Sequence, residues 1–579
     1  MNEAMQVIFG LLGGLAIFLF GMNMMSESLQ KAAGDRMRRI LGILTKNPLM
    51  GVLAGALTTA VLQSSSATTV MVIGFVSVGL MSLKQGISVV LGANIGTTMT
   101  AQLLAFNISD YIFIIIFVGF IVSFVVKSEQ VKNIGSTIFA FGLLFEGIEI
   151  MGSVMKPLAN SPVFISMIDQ VSDIPVLGVG VGTLMTLVVQ SSSATIAVLQ
   201  NFAEQAGPDG VTSIIGLEGA IPILLGDNIG TTITAILASI SQSRAAKRTA
   251  LAHCTFNISG AFLFIWLIKP YAAFIEMIST KGPEVEVIAR QIANAHTMFN
   301  VTMTLIWLPL IWLMVKIVTR LIPDGKAVAA RKGDPVFLED KLIGQPAAAL
   351  EMVAREIIHC SDLVYYMMGR VNHAVKSQDM KHIRKIKEES ESIRRLYDRI
   401  VDFLANLFSS GVLTEEQANQ TAKMMYILSD VERTETLCSE ATEALKHSFE
   451  HKKKFSGEAT RDLSESLEMI ENMYKEAMRM IKTGDTENAQ QIINKKDKVL
   501  ERTINMRKNH VKRVNKGDCE AELTNEFTTI LHSFERIGNS CANIADAATA
   551  NVTLKSFFKE EGEGIAYGEG SGEAKLKND

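Results

Sequence analysis

The chain lacks the signatures of most motors and enzymes. Its 579 residues contain no GxxxxGK[ST] phosphate loop, so no ATP-driven engine is visible. Neither HExxH nor G-x-S-x-G occurs, and its serine-rich phrases have no His–Asp partner nearby in sequence; no enzyme is expected. The five cysteines, Cys254, Cys360, Cys438, Cys519 and Cys541, form no CxxC pair and no zinc spacing. Four of them lie in the charged second half, which fits a reduced cytosolic compartment. Neither sign of charge prevails: 55 basic against 59 acidic residues leave a net charge of -4. That balance argues against nucleic acid as a partner, which would want a basic face. No basic stretch precedes the first apolar run, from about Met5, and no small-residue cleavage site follows it. It reads as a retained membrane span.

What the chain does have is apolar sequence in bulk, and composition splits it near Pro323. Before that point apolar runs occupy about 5–25, 50–62, 68–80, 86–106, 111–126, 134–152, 175–189, 194–203, 213–240, 249–268 and 296–319. Several approach or exceed the roughly 20 residues needed to cross a bilayer. After Pro323 the sequence is charged and helix-periodic. The expected domains are 1–325, transmembrane, with repeats at about 5–125 and 134–268 and an extra span at 296–319. A linker at 326–343, a helical domain at 344–555 and a disordered tail at 556–579 would follow.

Two polar phrases interrupt the apolar half, and each occurs twice. QSSSATT, from Gln63 to Thr69, returns as QSSSATI, from Gln190 to Ile196. GANIGTT, from Gly92 to Thr98, returns as GDNIGTT, from Gly226 to Thr232. Unpaired hydroxyls and amides cost several kcal/mol each in hydrocarbon, on the order of 2–7. Such clusters at membrane depth mean a protein-lined cavity that holds something polar. The run pairs 50–62 with 68–80 and 175–189 with 194–203 are each too short to span singly. Joined by the QSSS phrase, each pair reads as a re-entrant hairpin with a polar tip.

Basic residues test the topology. If the first span runs inward, Lys31, Arg36, Arg38, Arg39 and Lys46 are cytoplasmic. With hairpins adding no net crossing, Lys127, Lys132, Arg244, Lys247, Arg248, Lys316 and Arg320 fall on the same face. LFGMNMM around Gly21 also resembles LFEGIEIM around Gly147. Equivalent points are separated by an odd number of crossings, so the two halves would be inverted, as in many secondary transporters.

The residue types suit ion and oxyanion binding without a stranded charge. Amide, hydroxyl and carbonyl oxygens suit a hard cation such as sodium. Broken helix ends offer N–H groups to an anion. Gly92, Gly96, Gly226 and Gly230 bracket the asparagines and would let the backbone unwind toward a ligand. Asp227 replaces Ala93 of the first copy and is a candidate for coupling, or a helix cap. Glu146, in an apolar span, is a second coupling candidate. His253 and His296 each begin an H-x-x-F-N phrase and read as structural hydrogen-bonders.

With these motifs in hand, the first half resembles the sodium-dependent phosphate cotransporter type II family over about residues 5–320. The paired QSSS phrases, the following G-x-NIGTT and the segment RTALAHCTFNISG, from Arg248 to Gly260, carry the resemblance. Ala252 stands where that family has Val. The resemblance implies inorganic phosphate as substrate, sodium as coupling ion and no organic cofactor. It assigns the site to Gln63, Ser64, Ser65, Ser66, Thr68, Gln190, Ser191, Ser192, Ser193 and Thr195. Asn94, Thr97, Thr98, Asn228, Thr231 and Thr232 would support or complete it.

The second half carries candidate helices at 345–376, 380–408, 415–449, 459–483, 486–515 and 521–551. LSDVERTETLCSEA, from Leu428, resembles LHSFERIGNSCANIA, from Leu531. The half resembles PhoU-type phosphate-signalling domains, built of two three-helix repeats. Their metal signature has an acid where this chain has Thr436 and Asn539; Glu432, Glu435 and Glu535 remain as candidate ligands, and a solvated acidic face is the competing reading.

The expectation is an all-α polytopic protein of the cell inner membrane with its C-terminal domain cytoplasmic. It would carry phosphate with sodium by alternating access, with a homodimer left open. A phosphate exporter, or a membrane-tethered sensor with little transport, is the alternative.

Overall fold

The computed structural model describes residues 3–33, 47–106, 108–159, 174–207, 209–240, 242–324, 333–450 and 453–558. Arg36, Arg38, Arg39 and Lys46, the segment 325–332 and the tail 559–579 lie outside the described residues. Among the described residues every regular element is a helix. The chain separates into two compact units, Met1–Lys326 and Ala327–Asp579.

The first unit starts with α1 (Glu3–Ala33). Asn47 caps the next helix by accepting from the Met50 N–H, with Pro48 in its first turn, so α2 (Pro48–Leu62) has a defined start. It ends at Gln63, whose φ of 52° is left-handed. Ser64 then caps α3 (Ser65–Ser77) by accepting from the Ala67 N–H. The second copy repeats the proline start, the left-handed glutamine and the serine cap, but not the side-chain cap on its first helix, where Ile174 stands. Helix α4 (Leu83–Leu104), α5 (Ile112–Val125) and α6 (Glu129–Ala159) intervene. Then α7 (Pro175–Val189) begins on a proline and ends at Gln190, φ 53°, and Ser191 caps α8 (Ser192–Ala203). A left-handed non-glycine residue costs roughly 1 kcal/mol. Two glutamines held this way mark places where the turn is imposed by its surroundings.

Hydrogen bonds show that the chain reverses there. Thr59 Oγ1 donates to Thr68 Oγ1 at 2.9 Å, and Thr186 Oγ1 lies 3.0 Å from Thr195 Oγ1. In one continuous helix residues nine apart would be separated by about 13 Å along the axis. The far arms of the two fold-backs end at opposite ends of α4. Ser77 closes α3 five residues before Ser82 caps α4, whereas Gln200, on α8, donates to the Ala101 carbonyl near the other end.

Two helices follow the second fold-back, α9 (Gly216–Gly230) and α10 (Thr232–Ser239). The expected single spans at 249–268 and 296–319 are each broken instead. Helix α11 (Arg244–Phe264) bends by 94° into α12 (Ile268–Ile278), and α13 (Glu284–Trp307) bends by 84° into α14 (Ile311–Leu321). The short arms are amphipathic, and that favours lying along an interface over completing a crossing. Among the described residues four further stretches are long and apolar enough to cross a membrane: Met5–Ala32, Leu83–Leu104, Glu129–Met155 and Gly216–Ser239.

Glycine sets how the fold-backs pack. A Cβ on Gly55 would overlap the Val89 carbonyl, and one on Gly92 the Val52 carbonyl, so α2 and α4 touch backbone to backbone. Gly182 and Gly226 do the same between α7 and α9, against Ile223 and Val179. The expectation that Gly92 and Gly96 unwind the backbone is therefore corrected: α4 is unbroken through both, and the missing side chains admit a neighbouring helix. A separate layer forms from α1, α5 and α6, in which Gly21 meets Leu144 and Gly119 meets Phe139.

The second unit comprises α15 (Pro346–Ser377), α16 (Met380–Ser409), α17 (Glu415–Glu450), α18 (Gly457–Thr483), α19 (Ala489–Lys516) and α20 (Thr524–Thr549), with a short α21 (Lys555–Phe558). Gly484 and Gly517 end α18 and α19 in the left-handed conformation, the usual helix stop. Apolar faces of all six long helices meet in one core that includes Phe403, Tyr474, Phe527 and Phe534. Cys438 and Cys541, at equivalent places in the two three-helix sets, are both fully enclosed in it.

Close backbone contact gives a direct test. Gly182→Ala should lower the melting temperature of the purified protein by an amount corresponding to roughly 3 kcal/mol or more, because neither helix can retreat without losing its seam. Gly180→Ala, on the same helix with open space around it, should be neutral or slightly stabilising. Equal effects of the two would refute the packing account.

Candidate functional site

Both serine phrases are brought to one turn of α1. Ser26 Oγ donates to the Leu62 carbonyl at 2.6 Å, satisfying a last-turn oxygen at the end of α2. Met22, one turn earlier on α1, lies 4.0 Å from Ser191 Oγ. Residues four apart on a helix rise about 6 Å. The two tips therefore converge on one patch of a third helix, although they are far apart in sequence.

The first tip is engaged on both sides. Gln63 Nε2 donates to the Ala60 carbonyl at 2.5 Å, and its Oε1 accepts from Thr100 Oγ1 at 2.9 Å. Thr234 Oγ1 donates to Ser66 Oγ at 3.2 Å, so the α10 helix of the second copy also reaches this tip. Ser64 and Ser66 are partly exposed, and Ser65 and Thr68 are buried. In the second tip Gln190 is exposed and Ser191 partly so, whereas Ser192, Ser193 and Thr195 are buried. The tips thus differ: one glutamine is tied down and the other faces outward.

The NIGTT residues are spent largely inside their own helices. Thr97 and Thr98 donate to the Ala93 and Ile95 carbonyls, and Thr231 and Thr232 to those of Asp227 and Ile229. Asn94 and Asn228 donate to the Val90 and Leu224 carbonyls and turn their oxygens to His253 and His296. These six positions frame the tips more than they line them.

Asp227 is the main departure from symmetry. It is fully buried; Oδ1 accepts from Thr186 Oγ1 at 2.7 Å, and Oδ2 has no hydrogen-bond partner. Thr186 in turn reaches Thr195 of the second tip. The chain of hydroxyls therefore leads from the tip to a carboxyl in a region with no nearby cation among its described partners. Asp227 does not cap a helix: it lies within α9. Glu146 is half-buried on α6, in the layer that α1 and α5 complete.

Sequence reasoning missed Ser26, Met22, Thr59, Thr186, Thr100 and Thr234. The last four were visible: the repeated phrases extend to NIGTTMT and NIGTTIT, and a threonine stands four residues before each QSSS glutamine. Nothing in the α1 sequence marks Met22 and Ser26 as neighbours of both tips.

In the second unit the candidate metal acids are occupied by other partners. Glu435 is buried, accepts from Ser390 Oγ and pairs with Arg394 at 3.2 Å. Glu535 pairs with Arg507 at 3.4 Å, and Glu432 accepts from Thr436. Among the described residues no three His, Cys, Asp or Glu side chains are grouped to hold a metal ion. Asp430, one turn before Thr434, is buried with Oδ2 unpartnered, and its carboxyl is pushed up by desolvation, partly offset by Arg433. A carboxyl raised in the folded state makes its favourable contribution when protonated, and that contribution is lost as pH rises above the ordinary carboxylate range. Asp430→Asn should therefore raise the melting temperature of full-length protein at pH 7.5, with the gain shrinking to nothing near pH 4. A gain equal at both pH values would rule out the carboxyl's charge as its cause.

Comparison with known proteins bears on the whole chain. The Na+/Pi-cotransporter family profile matches residues 17–153 and 154–304, and the PhoU domain profile matches residues 463–548. A Bacillus subtilis (strain 168) protein named "Uncharacterized protein YqeW" is 33% identical over 309 residues, covering 53% of this chain and 96% of that one. An Escherichia coli (strain K12) protein named "Putative inorganic phosphate export protein YjbB" is 23% identical over 549 residues, 93% of this chain and 97% of its own length. The Homo sapiens "Sodium-dependent phosphate transport protein 2B" is 34% identical over 97 residues, 16% of this chain and 14% of that protein. No solved structure matches the chain.

Proposed function

The chain belongs to the Na+/Pi-cotransporter family and carries a PhoU domain, and from that premise we propose that it couples phosphate movement across the cell inner membrane to sodium. The observation that carries the proposal is the convergence of Leu62–Ser66 and Ser191 on the Met22–Ser26 turn of α1. Phosphate binds between the two tips, against the N-terminal turns of α3 and α8 and the hydroxyls of Ser64, Ser65, Ser66, Ser191, Ser192 and Ser193. Sodium binds beside it, held by amide and hydroxyl oxygens of Gln63, Gln190 and the adjoining threonines. A cation and an anion held together offset part of one another's desolvation.

The fold-backs are re-entrant hairpins that enter from opposite faces. Their far arms end at opposite ends of α4, about 33 Å apart for a 22-residue helix, which supports this reading. The helices carrying the tips form one body and the α1, α5, α6 layer another. Polar links between the two bodies, such as Ser26 to Leu62 and Asn201 to the Ile148 carbonyl, are made at the hairpins. The tip body moves against this layer to alternate access. Asp227, whose Oδ1 is linked through the Thr186 hydroxyl to Thr195 and whose Oδ2 is free, takes a proton or sodium ion as the coupling group. The PhoU unit lies in the cytoplasm and regulates the carrier.

Export is the second reading. It is favoured by relatives that cover 93% of the chain, both units included, and whose name describes phosphate export. The same site serves either direction, since ion gradients decide the sign of flux.

Radiolabelled phosphate flux in proteoliposomes, with sodium, lithium and proton gradients compared and arsenate and sulfate as competitors, tests the assignment. Gln63→Ala and Ser192→Ala should each cut sodium-driven flux at least tenfold with folded protein retained, corresponding to the loss of about 1.4 kcal/mol or more. Unchanged flux in both contradicts the site, and saturable binding without flux contradicts transport. Asp227→Asn should keep phosphate binding but lose the dependence of rate on the driving ion. Retention of that dependence removes Asp227 from coupling.

A further inference from the structure

We infer that His253 and His296 are positioning residues for the first tip, acting through Asn94 and Asn228 as a pair of clamps on the helices that hold it from either side; this rests on the transport site proposed above. The geometry recurs in its main contacts, with one difference: Asn300 Nδ2 also approaches Asn228 Oδ1 at 3.5 Å. His253, on α11, places Nε2 3.1 Å from Asn94 Oδ1, and His296, on α13, places Nε2 3.4 Å from Asn228 Oδ1. Both imidazoles are buried. Asn257 and Asn300, four residues after each histidine, both donate back to the histidine carbonyl.

The protonation pattern follows from the partners. Asn94 Nδ2 donates to the Val90 carbonyl, an obligate acceptor, which fixes the carboxamide with its oxygen toward His253. That oxygen can only accept, so His253 carries a hydrogen on Nε2. Asn228 and His296 repeat the logic through the Leu224 carbonyl. Nδ1 of each ring has no partner.

The clamp bears on the site through the helix that carries each asparagine. Thr100, which holds Gln63, stands six residues after Asn94 on unbroken α4. Thr234, which holds Ser66, stands six residues after Asn228, on α10, which follows α9 across the single residue Thr231, itself in helical conformation. Fixing the asparagine fixes the rotation of the helix that presents the threonine, and a rotation of one residue step, about 100°, would carry that hydroxyl away from the tip. His253 also lies on a different helix from the one it holds, so each clamp ties a tip-supporting helix to one of the bent helices α11 and α13. These two helices correspond to each other in sequence phrase, bend and contact.

The experiment compares His253→Ala, His296→Ala, His253→Gln and His296→Gln in the full chain reconstituted in liposomes. Glutamine keeps an N–H donor near the Nε2 position, and alanine does not. Each alanine variant should raise the half-saturating phosphate or sodium concentration roughly tenfold or more, as expected for one lost buried hydrogen bond. Each glutamine variant should recover most of the loss. Nitrogen-15 spectra of histidine-labelled protein in lipid read the clamp without reference to transport: two ring signals should show an unprotonated Nδ1, and Asn94→Leu should perturb one of them. Alanine variants with unchanged half-saturation, glutamine variants as defective as alanine, or spectra with hydrogen on Nδ1 would each overturn the inference. If wild-type protein moves no phosphate, the transport reading fails while the spectra still decide the clamp.

Discussion

The whole membrane unit depends on keeping polar groups satisfied where two helices stop in mid-course. A helix that ends in a low-dielectric region exposes carbonyls and N–H groups that water would otherwise cover. At Gln63 the solution is local and tertiary together. Ser64 caps the next helix, the glutamine side chain bonds Ala60, and Ser26 of α1 takes the Leu62 carbonyl. Because those partners come from the returning arm and from α1, the tip can exist only after its neighbours are in place. The glycine seams then follow, since polar partners of this reach require helices at backbone contact.

Near-symmetry with one charged exception shapes the chemistry. The pairs Thr59–Thr68 and Thr186–Thr195 are alike, and so are the asparagine–histidine pairs. Only the second copy adds Asp227, where the first has Ala93. Duplication supplied a neutral cradle twice; substitution of a single position gave one half a carboxyl with an unpartnered oxygen.

Much of this architecture was legible in the sequence because apolar runs and polar interruptions are strong signals. The fold-back at Gln63 and Gln190 could be read from run length and the polar QSSS interruption, and the six long helices of the second unit from their helical periodicity. The bend at 265–267 was not legible, since an apolar run continues through it without a proline; the bend at 308–310 contains Pro309, a break signal that run length alone passed over. The role of Gly92 was misjudged for a physical reason: glycine serves both loosened backbone and close helix packing, and only a neighbour's position tells them apart. Met22 and Ser26 carried no signal because ordinary helix residues become site neighbours through tertiary contact alone.

The clamp between Asn94 and His253 joins residues 159 apart in the chain. At about 5–20 residues per second of synthesis, the asparagine waits on the order of ten seconds for its imidazole. The second clamp closes only when α13 emerges, after both serine phrases have already been made. The early half of the membrane unit therefore spends its infancy with a buried amide unmet, and a nascent chain interrupted before α11 would present that unmet group to whatever quality-control machinery surveys the bilayer.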